Sequence, residues 1–154
     1  MKYTLLNSRS TDEPDQKLND MIDSFNQLIA ELEKKHVPDA IIQSINTEIQ
    51  NTNSVSGTAR ILRKKVRNLQ VVVLRILEKE LRLVIKHHYR NMWLVLGMTA
   101  FGLPIGVAFG LSIGNIGLLG VGMPIGMAIG IAVGIGMDNK AMQEGRQLDV
   151  ELKY

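Results

Sequence analysis

His36, His87 and His88 are the only histidines in this chain, and it has no cysteine. Without a thiol, neither a disulfide nor a nucleophilic or metal-binding thiolate can form. His87 and His88 are adjacent, so on a helix their side chains point about 100° apart and cannot share one metal ion. No metal or other cofactor is expected. No Ser, Thr or Lys stands in a motif with a base that would activate it. The glycines do not form a phosphate-binding loop, because no Gly-Lys-Ser/Thr follows them and within each of their two runs the spacing is four. An enzyme is therefore not expected.

The one dense group of binding chemistry is basic: Arg60, Arg63, Lys64, Lys65 and Arg67. The formal net charge is only +3. However, acidic residues predominate from Met1 to Ser54 and basic ones from Val55 to Arg90. Three roles fit the cluster: a solvated or lipid-facing surface, a site for anionic lipid, nucleotide or nucleic acid, or ion pairs within an assembly. No aromatic residues interleave it, which weakens recognition of single strands by stacking and leaves a nucleic acid a minor partner class. Lys86 and Arg90 sit beside a long apolar run and orient it by the positive-inside rule. His87, His88, Tyr89 and Trp93 suit the headgroup level of a bilayer, where amphipathic rings collect. A pH-sensing role for the histidines is the alternative.

That apolar run goes from Trp93 to Asp138 and carries no Asp, Glu, Lys, Arg or His before Asp138. A bilayer-spanning helix needs about 20 mostly apolar residues, so the run suffices for two spans and a tight turn. Its polar groups are few: Thr99, Ser112 and Asn115. Ser112 can bond its own helix backbone, and Asn115 suits the turn. The run is also an internal repeat. Gly102-Leu103-Pro104-Ile105-Gly106 is echoed by Gly122-Met123-Pro124-Ile125-Gly126. Glycines recur every fourth residue as Gly102, Gly106, Gly110 and Gly114, then as Gly122, Gly126, Gly130 and Gly134. Residues four apart share a helix face, so each ladder makes a groove that admits a neighbouring backbone. Pro104 and Pro124 are expected to kink the spans.

This stretch resembles the glycine-zipper membrane proteins, in particular small two-span bacterial proteins of unassigned function. The resemblance covers about the last third of the chain, including the short charged tail from Asp138 to Arg146. It implies an architecture and leaves the activity open, since such helices serve channels, pore-forming toxins and passive anchors.

The elements ahead of the run are amphipathic. A first helix is expected from Pro14, capped by Thr11 or Asp12, with Glu13 and Asp15 at its positive end. Leu18, Met21, Ile22, Phe25, Leu28, Ile29 and Leu32 form its stripe. Val37-Pro38-Asp39 ends it and opens a second helix with Ile41, Ile42, Ile45 and Ile49 on one face. A third starts at Ser56 or Thr58 and meets no breaker before the apolar run. Its stripe runs from Leu62 through Leu77 and Leu81 to Val84 and Ile85. The spacing predicts one helix continuing into the first span. The stripes bury one another as a small bundle, or bury against other copies of the chain. Met1 to Ser10 carries no clear signal. Leu148-Asp149-Val150-Glu151-Leu152 alternates as a strand would, and pairing of the two chain ends is one possibility.

The sequence thus predicts an all-α integral membrane protein of the plasma (inner) membrane, multi-pass, with both termini cytoplasmic. Residues 1–13 form a tail, 14–90 a cytoplasmic helical region, 91–138 a two-span hairpin and 139–154 a second tail. The spans are expected at Trp93–Gly114 and Ile116–Met137. The leading expectation is a homo-oligomer whose hairpins pack through the ladders, with a pore or channel as its more specific form and cytoplasmic helices that gate or recruit. The competing classes are a passive anchor or scaffold for a cytoplasmic protein partner, and a holin-like or toxin permeabiliser.

Overall fold

The computed structural model describes residues 2–7, 15–115, 117 and 119–154. The predicted start at Thr11–Pro14 lies outside these residues, as does Ile116. The chain divides into two compact units, Met1–Ile85 with Leu148–Tyr154, and Lys86–Gln147.

In the first unit, α1 (Gln16–Glu33), α2 (Asp39–Asn53) and α3 (Ala59–Leu81) form where the apolar spacing places them. The Asp15 carboxylate caps α1 by accepting the Leu18 N–H at 3.0 Å. It also meets the Arg63 guanidinium at 3.4 Å. The expected stripes face inward. Phe25, Leu28, Ile29 and Leu32 of α1, Ile45 and Ile49 of α2, and Leu62, Val66, Leu69, Val73 and Leu77 of α3 form one buried cluster. Full burial of each such side chain contributes about 1.5–3 kcal/mol before the entropy of ordering the chain is subtracted.

The third helix does not continue into the apolar run. It stops at Leu81, and Arg82 turns left-handed at φ 55° with its N–H on Glu78 O. Val84 and Ile85, read as helical stripe positions, instead form a short strand, β1. A non-glycine left-handed residue costs about 1–2 kcal/mol. Burial of Val84 and Ile85 offsets it, because both are almost fully covered.

The strand partner of β1 is β2 (Gln147–Leu148), not the N-terminal segment. Beyond it Leu148, Val150 and Leu152 are buried while Asp149, Glu151 and Lys153 are exposed. The predicted alternation is therefore present, but it inserts into the helical core as part of the first unit rather than trailing as a tail. Lys153 anchors it at three points. Its N–H donates to Ser24 Oγ at 3.3 Å, its carbonyl accepts from Gln70 Nε2 at 3.1 Å, and its Nζ lies 3.2 Å from Asp20.

Residues 2–7 are likewise held. Leu6 is buried in the same cluster, and the segment's backbone is bonded by Asn26, Asn46 and Asn53. Tyr3 packs against the cluster. Its hydroxyl is buried and finds no hydrogen-bond partner among the described residues. Burial, and to a lesser degree the charge of Glu33, raises its pKa above the ordinary 10.0. A neutral Tyr3 thus favours the folded state below the unfolded pKa, and this contribution is lost as pH rises through the raised value. Tyr3→Phe should therefore stabilise the protein by about 1 kcal/mol, since it removes an unsatisfied group. It should also flatten the alkaline loss. Urea unfolding followed by circular dichroism at neutral pH and above about pH 10 measures both.

The second unit is a helical hairpin. Its first arm is α4 (His88–Leu96), a π-turn (Gly97–Gly102) and α5 (Leu103–Ile113). Its second arm is α6 (Leu119–Gln143), which carries Pro124 inside it. His88–Ile113 and Gly120–Gln143 are both long and apolar enough to cross a membrane.

Candidate functional site

The hairpin is built inside out. Among the described residues of its helices, every buried position is a glycine apart from Asp138 and Ala141. Val95, Phe101, Val107, Leu111, Ile129 and Val133 stand exposed on its outer surface. The glycines meet one another across an antiparallel seam. A Cβ on Gly122 would stand 2.6 Å from Gly106 Cα, one on Gly126 2.6 Å from Gly102 Cα, one on Gly130 3.1 Å from Gly97 Cα, and one on Gly134 2.5 Å from Arg90 Cα. Backbone thus faces backbone along the seam. Cohesion there comes from dispersion and weak Cα–H···O contacts, which need this close approach.

Two departures from the expected ladder are informative. Gly114 is not in the seam. It ends α5 in the left-handed conformation at φ 71°, donates to Gly110 O, and a Cβ there would meet nothing. Glycine serves here as a helix stop. Gly97, which lies outside the four-residue spacing, is in the seam against Gly126 and Gly130. Five residues separate it from Gly102. In an α-helix that spacing leaves two residues about 140° apart around the axis. A π-turn returns residues five apart to one face. The Leu103 N–H accordingly bonds Met98 O, five residues back. Pro104, which has no N–H, follows at the start of α5. The π-turn therefore extends the first glycine face past Gly102 to Gly97 and on to Trp93, whose carbonyl abuts Gly130.

Asp138 closes the seam at its polar end. It is buried, at 6% exposure. One carboxylate oxygen accepts the Tyr89 N–H and the other the Arg90 N–H, each at 3.0 Å. These are N–H groups of the first turn of α4, whose own preceding residue, His87, provides no side-chain cap. A carboxylate at this position satisfies orphan donors and sits at the positive end of the helix dipole. The sequence marks Asp138 only as the end of the apolar run. Its partner is set by the antiparallel register, which spacing along one chain does not display.

The surrounding residues form the charged end of the hairpin. The Tyr89 ring meets His88 edge-on, with centroids 5.0 Å apart. Arg146 pairs with Glu144, and its pKa is raised by that carboxylate first and by the Tyr89 hydroxyl next. Lys86 is exposed and Arg90 half-buried. The Trp93 indole N–H is buried without an acceptor among the described residues. At the opposite end the Asn115 side chain accepts the Gly117 N–H at 3.0 Å. Thr99 returns its hydroxyl to Val95 O and Leu96 O of its own helix. Among the described residues no polar stripe runs between the two ends.

In the first unit, Arg60, Lys64, Lys65 and Arg67 stand exposed on the outer face of α3, and Arg63 is engaged by Asp15. The structure thus gathers the glycines and Asp138 into one built feature and leaves the basic cluster as a surface. Among the described residues no group of His, Asp or Glu could hold a metal ion. Comparison with protein-family models, with curated proteins and with solved structures returns no match.

Proposed function

We propose that this chain is a membrane-anchored scaffold of the plasma (inner) membrane. Its hairpin spans the bilayer twice and its helical unit is held in the cytoplasm to recruit a partner. One observation carries this reading: the hairpin buries its glycines and exposes its large apolar side chains, the reverse of a water-soluble helix pair. An apolar surface of this extent needs a cover, and lipid is the cover that suits both faces of a hairpin. Its first arm of 26 residues would measure about 39 Å, longer than the roughly 30 Å hydrocarbon core. The charged end, with Lys86 and Arg90, supports a cytoplasmic location for both termini, with the Asn115 turn crossing.

The glycine faces are occupied within one hairpin. This favours an anchor over a pore assembled through the ladders, because a pore would need a second, outward-facing lining. Self-assembly would have to use the outer apolar faces or the helical unit. The test is fractionation with topology reporters. The protein should stay with membranes through alkaline carbonate extraction. A reporter fused after Tyr154 that works only outside the cytoplasm should stay silent, and so should one at the N-terminus. Release by carbonate, or one active end and one silent end, would overturn the reading.

A further inference from the structure

The outer face of α3 mixes cations with bare apolar side chains. At about 100° per residue, Ile61, Lys64, Val71, Val72, Arg75 and Lys79 fall within about 100° of arc around the helix. All six are exposed. Ile61 is 49%, Val71 47% and Val72 38% exposed, so three apolar side chains stand in the midst of the charge. Leu62, Val66, Val73 and Leu77 occupy the opposite side, in the cluster shared with α1 and α2.

Charge is segregated across the unit. α3 carries seven Lys and Arg against two Glu, whereas α1 and α2 together carry six Asp and Glu against one Lys. Among the described residues Arg63 alone of the α3 cations meets a carboxylate, that of Asp15. The other six cations face outward with their charge uncompensated.

Solvent, nucleic acid and anionic lipid could each cover a basic face. Solvent gives no reason for Ile61, Val71 and Val72 among the cations. Single-stranded nucleic acid is held by stacking on aromatic rings, and α3 has none. An interfacial helix has this composition, with cations for headgroup phosphates and apolar side chains for the boundary with the acyl chains. Connectivity gives a second reason. The first unit ends at Ile85 and resumes at Leu148, and the hairpin unit is Lys86–Gln147, so no separate linker joins them. The first unit is therefore tethered to any bilayer the hairpin spans, at an effective concentration near the millimolar range.

We propose that the outer face of α3 docks on the anionic phospholipid surface of the membrane that holds the hairpin, which leaves the acidic helices α1 and α2 turned to the cytoplasm. This rests on the membrane reading of the hairpin and adds the surface that orients the helical unit.

The test uses full chains with one fluorophore each, at Asn68→Cys on the exposed side of α3, Asp23→Cys on the exposed side of α1, or Val107→Cys on the hairpin. They are reconstituted in lipid nanodiscs of phosphatidylcholine alone or with about one-third phosphatidylserine. Nitroxide lipids, labelled near the headgroup or deep in the chains, act as quenchers. Headgroup-level nitroxides should quench Asn68 at least about threefold more with phosphatidylserine than without. The excess should vanish in about 1 M NaCl, where the screening length is about 3 Å. Lys64→Gln, Arg75→Gln and Lys79→Gln together should lower the ratio of docked to free unit at least about tenfold. The lipid comparison changes no charge on the face, so it decides the matter even if the triple variant unfolds. Asp23 should escape quenching in both mixtures. Quenching at Asn68 that ignores lipid charge and salt would overturn the proposal, and so would equal quenching at Asp23. A short DNA duplex that frees Asn68 from the anionic discs at micromolar concentration would assign the face to nucleic acid and overturn it too. Val107 reports insertion alone, through the deep nitroxides in both mixtures. With Val107 quenched, a lipid-indifferent Asn68 removes the docking and leaves the anchor standing. With Val107 unquenched, both fall.

Discussion

Gly126→Ala should open the apolar hairpin, whereas Gly136→Ala, ten residues further along the same helix, should tighten it. The two substitutions are chemically identical and both lie inside α6. A Cβ on Gly126 would lie 2.6 Å from Gly102 Cα and press closer still on Gly102 N and Gly97 O, all of them backbone. Backbone cannot rotate aside as a side chain can, so the arms must separate along several turns. Separation forfeits dispersion and Cα–H···O contacts throughout the seam, an expected loss of about 2–4 kcal/mol. A Cβ on Gly136 would meet nothing within 4 Å. There the better helix propensity of Ala acts alone, a gain of up to about 1 kcal/mol. Trp93 is the only tryptophan, and its backbone lies against Gly130, so its fluorescence follows unfolding of this part of the hairpin. Thermal unfolding in detergent should show a lowered midpoint for Gly126→Ala and an equal or raised one for Gly136→Ala. Equal responses would mean that the seam does not hold the arms together.

Asp138→Leu should uncouple the polar end of the hairpin even though it makes the chain more apolar. The substitution removes both acceptors of the Tyr89 and Arg90 N–H groups. Each charge-assisted bond contributes about 1.5–3 kcal/mol, so a loss of about 3–5 kcal/mol is expected where water does not enter. Asp138→Asn should fall between, because an amide oxygen can accept one N–H while its NH2 group repels the other. Hydrogen exchange at Tyr89 and Arg90, followed by NMR in micelles, separates this from a general loss of fold. Protection there should drop by about tenfold or more in Asp138→Leu while the amides of Gly126 and Gly130 exchange as before. Unchanged protection at Tyr89 would show that His87 and solvent suffice to start α4.

The helices of the first unit were legible because their stripes obey one period over many residues. Leu18 to Leu32 are buried as the spacing required, and so are Leu62, Val66, Leu69, Val73 and Leu77, while Ile76 of the same stripe is half-buried. The end of α3 was not legible, because neither Gly nor Pro marks it and Arg82 is turned by burial of Val84 and Ile85, a tertiary effect. The glycine faces could be read at Gly102 to Gly110 and Gly122 to Gly134, where spacing four suits an α-helix. Gly97 could not, because its spacing of five becomes a single face only through the π-turn. Gly114 fits the ladder by number alone and serves as a helix stop. Asp138 and the asparagine clasps were hidden for a common reason. Their partners lie 20 to 49 residues away along the chain, and those partners are backbone groups that carry no sequence signature.

Spin labels placed one at a time by cysteine substitution test most directly whether the outer face of the hairpin lies in lipid. The chain has no cysteine of its own, so each label is unique. Val95, Val107, Leu111, Ile129 and Val133 are the sites, all exposed and apolar. In reconstituted vesicles, collision with oxygen should exceed collision with a water-soluble nickel chelate at every site. The ratio should peak near Val107 and Ile129 and fall toward labels at Lys86 and Asn115. A nickel-accessible face, or a ratio that does not vary along the arms, would contradict a hairpin that spans the bilayer with its glycines turned inward.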